Sequence, residues 1–275
     1  MRWTSEAEAA VGKVPFFVRK RVRVRVEKEA AAEGKQVVSL KEVQATQARF
    51  LYQQQHEIKG YQVDSCFGPS GCPNRAVVSD DLVERVTSRL QAANLLDFLT
   101  TQVGAENLKF HHEFRVTIAD CPNACSQPQI KDVGIIGAAR PMVGRADCEQ
   151  CQACVDTCKE DAVTLPDGAE APDLDLQRCI ACGQCVGVCP TGTLETECSG
   201  YRILLGGKLG RHPQLARQLP GIYGDDQVLQ VITDCLDLYK THSRNGSRFG
   251  ELLNEELFAQ LAQKARGMDQ SRDNA

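Results

Sequence analysis

Twelve of the 14 cysteines in this 275-residue chain fall into short spacings that are typical of metal ligands. Eight of them form two runs with the spacing C-x2-C-x2-C-x3-C, and Pro190 directly follows the second run. Paired C-x2-C motifs also form tetrahedral zinc sites, but the doubled four-cysteine run favours two 4Fe–4S clusters. The first run consists of Cys148, Cys151, Cys154 and Cys158, and the second of Cys179, Cys182, Cys185 and Cys189.

The doubled run resembles the bacterial two-cluster ferredoxin family, over a module of about residues 141–197. In this family three close cysteines hold one cubane on a tight loop, and the fourth ligates the neighbouring cluster. The resemblance implies that the module carries electrons and does no chemistry on a substrate. The first cluster would use Cys148, Cys151, Cys154 and Cys189, and the second Cys179, Cys182, Cys185 and Cys158.

Four further cysteines form two separate pairs, Cys66 with Cys72 and Cys121 with Cys125. Their spacing is C-x5-C in the first pair and C-x3-C in the second. Two such pairs on loops shaped by glycine or proline can enclose a cubane from two sides and leave one face open to a second cofactor. A zinc site and simple buried thiols are the alternatives at this point.

Both pairs belong to a longer motif. Asn74 follows a Cys-Pro step in the first pair, Asn123 follows one in the second, and "DVGIIG" comes after. This motif resembles the sulfite and nitrite reductase family over about residues 60–140 and again over "GYRILLGGKLGRHPQL". The resemblance implies that Cys66, Cys72, Cys121 and Cys125 hold a third 4Fe–4S cluster. It also implies that Cys125 bridges this cluster to a sirohaem iron, where a small anion is reduced. Sulfite is the predicted substrate and nitrite the alternative.

Sirohaem carries many carboxylates, so its pocket needs several arginine or lysine donors. Each candidate has a simpler alternative as a solvated surface charge. We predict that Lys131, Arg75 and Arg115 bind the anion and donate protons, and that Arg140, Lys208 and Arg211 bind the cofactor together with Cys125. Lys109 is a further candidate. The glycine loop around Lys208 lacks the spacing of a phosphate loop, which excludes a nucleotide site of that type.

The N-terminal segment resembles the short helical segment that ends one subunit of the light-independent protochlorophyllide reductase. The matching residues are Trp3, "KVPFFVR" from Lys13 to Arg19, Glu27 and Ala30. That segment is associated with a tetrapyrrole site in its home enzyme. The alternative is a helical dimerisation or capping element.

Complete sirohaem reductases consist of two related halves, and this chain has only the basic helical segment where the first half should be. Three outcomes stay open. A partner subunit or second copy completes the pocket, residues 16–26 substitute for the missing half, or sirohaem is absent and the chain is an electron-transfer subunit. An electron donor protein is expected in each case.

The composition, with 42% apolar and 25% charged residues, is that of an ordinary globular protein. No apolar run approaches the roughly 18 residues of a membrane span, and residues 1–20 lack the pattern of a secretory signal. We therefore predict a cytoplasmic protein with reduced thiols. Three clusters would lower the formal charge from −4 to about −10, which argues against a nucleic-acid partner.

The periodicity predicts an α+β fold, and the resemblances imply a sirohaem and 4Fe–4S half-domain with an inserted ferredoxin domain and a small N-terminal helical segment. The predicted division is a helical segment at 1–50, the reductase domain at 51–140 and 198–245, the ferredoxin domain at 141–197 and a C-terminal helix at 246–275. A first helix is predicted with Ser5 as its N-cap. Further helices are predicted over 14–34, where alternating valines offer a strand as the alternative, and over 80–100, 213–219, 225–242 and 250–266. Strands are predicted before Cys121, over 131–139 and over 201–207.

Overall fold

The computed structural model describes residues 1–269, without the side chains of residues 51–56, 69 and 268–269. The chain divides into two compact units. The first unit comprises Met1–Lys59 and Glu106–Lys109, and the second comprises Gly60–Ala105 and the chain from Phe110 onward.

The first unit is helical, with two short parallel strands. Its core contains Ala7, Val11, Val26, Ala30, Val38 and Val43. The predicted N-cap Ser5 is wrong by one position, because the Thr4 hydroxyl accepts the hydrogen bond from the Ala7 N–H at 3.3 Å. The elements are β1 (Arg2–Trp3), α1 (Ser5–Gly12), α2 (Phe16–Ala32), β2 (Val37–Val38) and α3 (Leu40–Glu57).

The helical interpretation of residues 14–34 is correct, and the strand alternative is wrong. Pro15 precedes the first turn of α2, and Gly34 adopts a left-handed φ of 74° just after its end. Val26 and Ala30 point into the core, because residues four apart lie on one face of a helix.

The second unit combines a five-stranded sheet with helices and a small two-stranded ribbon. Its strands are β3 (Tyr61–Ser65), β4 (Phe114–Ala119), β5 (Val133–Val143), β6 (Val163–Thr164), β7 (Asp173–Leu174), β8 (Leu194–Leu205) and β9 (Arg217–Gln218). Its helices are α4 (Asp80–Ala92), α5 (Leu95–Val103), α6 (Ala153–Thr157), α7 (Gln184–Gly187), α8 (Asp225–His242), α9 (Phe249–Leu252) and α10 (Glu255–Asp269).

The strand order in the large sheet is β3-β4-β5-β8-β9. The first three strands are parallel, whereas β8 runs antiparallel to β5, and β9 antiparallel to β8. Helices α4 and α8 pack on the sheet, where Ile118, Ile135 and Ile203 are fully buried. This architecture is the predicted mixture of helices and strands.

Three predicted helices differ from the structure. The helix over 80–100 is divided into α4 and α5, because Asn94 adopts a left-handed φ of 48°. The helix over 213–219 is wrong, since Arg217 and Gln218 pair with the end of β8 as β9. The C-terminal helix is divided into α9 and α10 around Leu253 and Asn254. The helix over 225–242 is confirmed as α8.

The cysteine-rich segment leaves the sheet at the end of β5 and returns at the start of β8. These two strands form one long antiparallel pair, from Val133 opposite Leu205 to Val143 opposite Leu194. The Ala139 N–H donates to the Ala181 carbonyl at 2.7 Å, which joins the segment to the side of β5. The segment is thus attached to the sheet at three points, while the boundaries of the four predicted domains remain a prediction.

Candidate functional site

The two lone cysteine pairs follow neighbouring parallel strands. Cys66 and Cys72 come after β3, and Cys121 and Cys125 come after β4. Because the carboxyl ends of parallel strands lie at the same edge of a sheet, both loops emerge side by side. The Cys66 N–H donates to the Ile118 carbonyl at 3.0 Å, which fixes the loop after β3 against β4.

The structure brings these four thiols together. Burial raises the pKa of Cys121, and the neighbouring thiolates of Cys66, Cys125 and Cys72 raise it further. Cys125 is the exposed member of the set, and its sulfur accepts a hydrogen bond from the Asn123 side-chain amide at 2.9 Å. We refer to Cys66, Cys72, Cys121 and Cys125 as the open set.

Asp120 holds the two loops of the open set in place, a role that the sequence alone did not reveal. Its backbone N–H donates to the Cys66 sulfur at 3.3 Å, and its carboxylate accepts from the Ser79 hydroxyl at 2.5 Å. A Cβ atom at Gly68 would lie 2.1 Å from this carboxylate, so only glycine fits there. Burial raises the pKa of Asp120, in spite of the Ser79 hydrogen bond.

The last cysteine of the first ferredoxin run lies with the second run. Burial raises the pKa of Cys185 to about 11, and the thiolates of Cys182, Cys179 and Cys158 contribute to the rise. The ferredoxin resemblance implies this placement of Cys158 beside the cysteines of the second run. We refer to Cys158, Cys179, Cys182 and Cys185 as the middle set.

The remaining ferredoxin cysteines form the outer set, Cys148, Cys151, Cys154 and Cys189. Burial raises the pKa of Cys154, and the thiolates of Cys151 and Cys148 add to it. Although burial opposes it, hydrogen bonds from the Leu194 N–H and the Thr191 hydroxyl lower the pKa of Cys189 to about 7.

Backbone N–H groups donate to sulfur in the same way in all three sets. The N–H of the residue two positions on donates to Cys66 at 3.2 Å, to Cys148 at 3.4 Å and to Cys179 at 3.4 Å. Such bonds to sulfur stabilise negative charge and tune the potential of iron–sulfur clusters. The donor chemistry of the three sets therefore fits 4Fe–4S clusters. No three His, Cys, Asp or Glu side chains within residues 1–269 are placed to hold a single metal ion.

A cavity of about 540 Å³ joins the middle set to the open set. All four cysteines of the middle set line it, and Cys121 lines it from the open set. Asn74 and Asn123, which belong to the reductase-like motif, also contribute to its wall. Of the two ferredoxin sets, the middle set is therefore the one that adjoins the open set.

Three of the predicted basic residues form ion pairs with carboxylates of the same unit. The Lys131 ammonium lies 2.6 Å from Asp64, and the Lys208 ammonium lies 2.9 Å from Glu251. Arg140 pairs with Glu197, and the carboxylate raises the pKa of the arginine.

Three predicted arginines, Arg75, Arg115 and Arg211, make no ion pair within the described part of the chain. Arg75 and Arg211 are exposed. Arg115 is half-buried and donates from Nη2 to the Phe110 carbonyl at 3.1 Å, while its Nε is buried without a hydrogen-bond partner among residues 1–269. Lys109 is exposed in the first unit. The exposed Cys125 thiol and three guanidinium groups without an ion pair are donors whose chemistry fits an anionic haem with a sulfur ligand.

Arg202 is a second residue that the sequence did not single out. It lies on β8 opposite Ile136, is half-buried, and has a buried Nε without a hydrogen-bond partner in the described structure. Burial lowers its pKa, and the thiolate of Cys179 acts in the opposite direction. An unpaired buried cation beside a ligand of the middle set is a charge that a cluster there would feel.

The last two cysteines lie outside the three sets. Cys235 is fully buried in α8, where burial raises its pKa, in agreement with a small core residue. Cys198 lies on β8 opposite Arg140. The rings of His111 and His112 contact each other at an angle of 51°, with centroids 4.1 Å apart.

Among residues 1–269, no helix is both long enough and apolar enough to cross a membrane.

Comparison with known families gives two matches in this chain. The model of the nitrite and sulphite reductase 4Fe–4S domain matches residues 62–266. The model of the proto-chlorophyllide reductase 57 kD subunit matches residues 3–47. Both matches agree with the resemblances seen in the sequence.

Curated relatives include two sulfite reductases. The coenzyme F420-dependent sulfite reductase of Methanocaldococcus jannaschii is 29% identical over 137 residues, which are 50% of this chain and 22% of that protein. The dissimilatory-type sulfite reductase subunit beta of Archaeoglobus fulgidus is 31% identical over 116 residues, or 38% of this chain and 31% of that protein. This chain thus spans less than a third of either relative.

A ferredoxin of Methanocaldococcus jannaschii is 38% identical over 82 residues, covering 27% of this chain and 47% of that protein. Among solved structures, dissimilatory sulfite reductase I has a TM-score of 0.52 and 18% identity, with 79% of this chain and 57% of that chain covered. This last likeness shows a shared fold.

The matching 4Fe–4S domain and the ferredoxin relative show that the chain is an iron–sulfur protein. The domain match extends over most of the sequence, and therefore this chain belongs to the nitrite and sulphite reductase family.

Proposed function

We propose that this protein reduces sulfite to sulfide with sirohaem and three 4Fe–4S clusters. The observation that carries the proposal is the cavity of about 540 Å³ that joins the middle set to the open set. In this proposal the outer, middle and open sets act in turn as electron carriers, and the cavity supports the step from the middle set to the open set. The exposed Cys125 then ends this series at a thiolate that a second cofactor can reach.

The chain contributes ligands and cations to the cofactor. Sirohaem, when bound, supplies the iron at which the anion is reduced. The Cys125 thiolate would ligate that iron from one side, and the Asn123 amide orients this sulfur through its 2.9 Å hydrogen bond. Arg140, Lys208 and Arg211 would bind the cofactor carboxylates, although Arg140 and Lys208 must first leave their present carboxylate partners.

Anion binding and proton donation are the proposed tasks of Lys131, Arg75 and Arg115. Lys131 is mostly buried and lies 2.6 Å from the half-exposed Asp64, so this carboxylate offers a route by which the ammonium regains a proton from solvent. Arg75 and Arg115 make no ion pair with the described side chains, and both would be available to a small anion. Burial raises the pKa of Asp120 and of Asp132, and the charges of Arg75 and Arg115, respectively, oppose these rises.

We further propose that the reductase works with additional subunits. One relative is named as a subunit of a dissimilatory-type enzyme, and this chain covers 31% of its length. A partner subunit or a second copy would complete the sirohaem pocket, and a separate donor protein would reduce the outer set.

Nitrite is the alternative substrate, since the matching family includes nitrite reductases. A different function, an electron-transfer subunit without sirohaem, is favoured by the three ion pairs of Lys131, Lys208 and Arg140. If those pairs persist in the working protein, three of the proposed donors are not free to bind sirohaem.

Optical spectroscopy of anaerobically purified protein separates the two functions. Sirohaem bands in the red and near-ultraviolet, with about thirteen iron atoms per chain, support the reductase. A broad iron–sulfur shoulder alone, with about twelve iron atoms, supports the electron-transfer subunit and overturns the reductase. Oxidation of a reduced dye on addition of sulfite or nitrite then identifies the substrate.

A further inference from the structure

One face of α2 is exposed and apolar at its start. Phe16 is 80% exposed, Phe17 is 71% exposed, and Val24 is 58% exposed. The two phenyl rings contact each other edge to face, with centroids 5.7 Å apart. Val26 and Ala30 on the opposite face are buried in the core of the first unit. The exposed rings are therefore not required for the packing of this helix.

The segment around this face is basic, although Arg23 and Arg25 pair with Glu8 and Glu29. Between Ala9 and Val26 the chain has six basic residues and no acidic residue. Phe16, Lys20 and Val24 follow each other at intervals of four, and Phe17 and Arg21 do the same, so these side chains share one side of α2. Lys20 and Arg21 are exposed.

We propose that this face of α2 binds the surface of an anionic phospholipid membrane. Helices with lysine and arginine around exposed aromatic side chains lie at the boundary between headgroups and acyl chains. The phenyl rings would enter that boundary while the cations contact lipid phosphates. Each basic residue near such a surface adds to the attraction, and salt weakens it.

The small apolar area of the face distinguishes a membrane from a protein partner. Two rings and one valine provide far less surface than the roughly 800 Å² that each partner buries in a standard protein interface. Protein interfaces are also depleted of charged residues at their centre, whereas here lysine and arginine alternate with the apolar side chains. The inference is independent of sirohaem and of the reductase activity.

Co-sedimentation of the purified full chain with lipid vesicles tests the proposal. We expect binding to vesicles that contain phosphatidylglycerol, no binding to pure phosphatidylcholine, and release at about 1 M salt, where the screening length falls to about 3 Å. Soluble polyglutamate serves as an acidic polymer without a bilayer.

Two double variants separate the contributions of rings and charges. Phe16→Ser with Phe17→Ser should weaken vesicle binding about tenfold or more, because both rings lose their apolar contact with lipid. Lys20→Glu with Arg21→Glu should weaken it about a hundredfold. The matched controls are Leu176→Ser, which is also at an exposed apolar residue, and Arg89→Glu with Arg145→Glu, which makes the same change in net charge.

The controls should bind as the unchanged protein does, and all variants should keep their helical circular dichroism. Equal binding to neutral vesicles, or vesicle binding that the two phenylalanines do not affect, would contradict the proposal. Binding to polyglutamate in preference to vesicles, with the same dependence on both rings, would identify an acidic protein as the partner and overturn the membrane.

Discussion

The ferredoxin segment and the open set hold cysteines of the same kind in opposite settings. In the segment, Cys154 and Cys185 are buried in the local apolar core together with Val163 and Leu194. Iron–sulfur clusters bound by these thiols would therefore be part of that core. In the open set the ligands come from two loops far apart in sequence, positioned by β3 and β4, and Cys125 is exposed.

Under the proposed function, this difference separates electron transfer from chemistry. Buried thiols in the segment would protect clusters that only pass electrons. The exposed thiol of Cys125 would leave one ligand of the open set accessible to another cofactor. A sheet that exists independently of the cluster can support such a site, because Ile118, Ile135 and Ile203 build its core without any cysteine.

The largest expected difference in iron content and stability comes from removing one cysteine of the open set or one of the ferredoxin segment. Cys125→Ala should remove about a third of the iron, or the sirohaem alone, and leave the ferredoxin clusters and the melting temperature nearly unchanged. Cys185→Ala should destabilise the segment markedly, because cluster binding there is also folding free energy. Iron analysis and thermal unfolding, monitored by circular dichroism, measure both effects.

Cys198→Ser is the control for these substitutions, since Cys198 belongs to none of the three sets. It should keep the full iron content. The contrast fails if Cys125→Ala lowers the melting temperature as much as Cys185→Ala does, since the open set would then be as necessary to the fold as the buried ones.

The order of the sets gives the next prediction. Unlike Cys185, Cys182 is not part of the apolar cluster of the segment, so Cys182→Ala should remove the middle cluster with a smaller loss of stability and leave the outer and open sets able to assemble. Reduction of the open cluster by a donor that reacts at the outer set should then be slower by orders of magnitude, while a small chemical reductant still reduces it. Freeze-quench electron paramagnetic resonance follows each cluster. Unchanged transfer would mean that electrons reach the open set without the middle set.

The cysteine pattern was readable from the sequence because it is local, whereas the environment of the cysteines is not, and their role as cluster ligands stays a prediction. The cysteine spacings and the apolar period of α8 lie within short stretches of chain. The pairing of β9 with β8 overrode the helical pattern of 213–219, and Asn94 broke a helix that periodicity had extended.

The positions of Asp120 and Arg202 beside the cysteines could not be predicted from the sequence for the same reason. Asp120 acts on Cys66 and Ser79, which are more than 40 positions away, and Arg202 meets Cys179 only after β8 has paired with β5. Burial and contacts with residues distant in sequence give these two charged residues their roles, and neither can be read from the linear sequence.

The charge of Arg202 should affect the reduction potential of a cluster at the middle set more than that of a cluster at the outer set. Removing its positive charge destabilises the reduced, more negative cluster, so Arg202→Gln should lower the potential of the middle cluster by on the order of 50 mV. Arg202→Lys should retain most of the potential. A redox titration followed by electron paramagnetic resonance measures the shift.

Arg178→Gln is the matched control, because Arg178 also neighbours Cys179 in sequence but is exposed and pairs with Asp161 at 3.6 Å. It should leave the potential nearly unchanged, since solvent screens its charge. Equal shifts in both variants would show that Arg202 has no special access to the cluster.

The smallest expected effect concerns the ion pair beside the glycine loop. The Lys208 hydrogen bond lowers the pKa of Glu251, which is 46% exposed, so the pair stabilises the fold by less than about 1 kcal/mol. A lowered carboxyl pKa gives stability that is present above the unfolded value, about 4.3, and is lost as pH falls through the lower folded value.

Glu251→Gln should therefore reduce stability slightly at pH 7, and the difference from the unchanged protein should shrink as the pH falls below about 4. Denaturant unfolding at several pH values measures it, with Glu255→Gln, at the more exposed partner of Arg217, as the control. The substitution also releases Lys208. If Lys208 binds sirohaem carboxylates, Glu251→Gln should keep or raise the sirohaem content, and a loss of sirohaem would instead make Glu251 a support of the pocket.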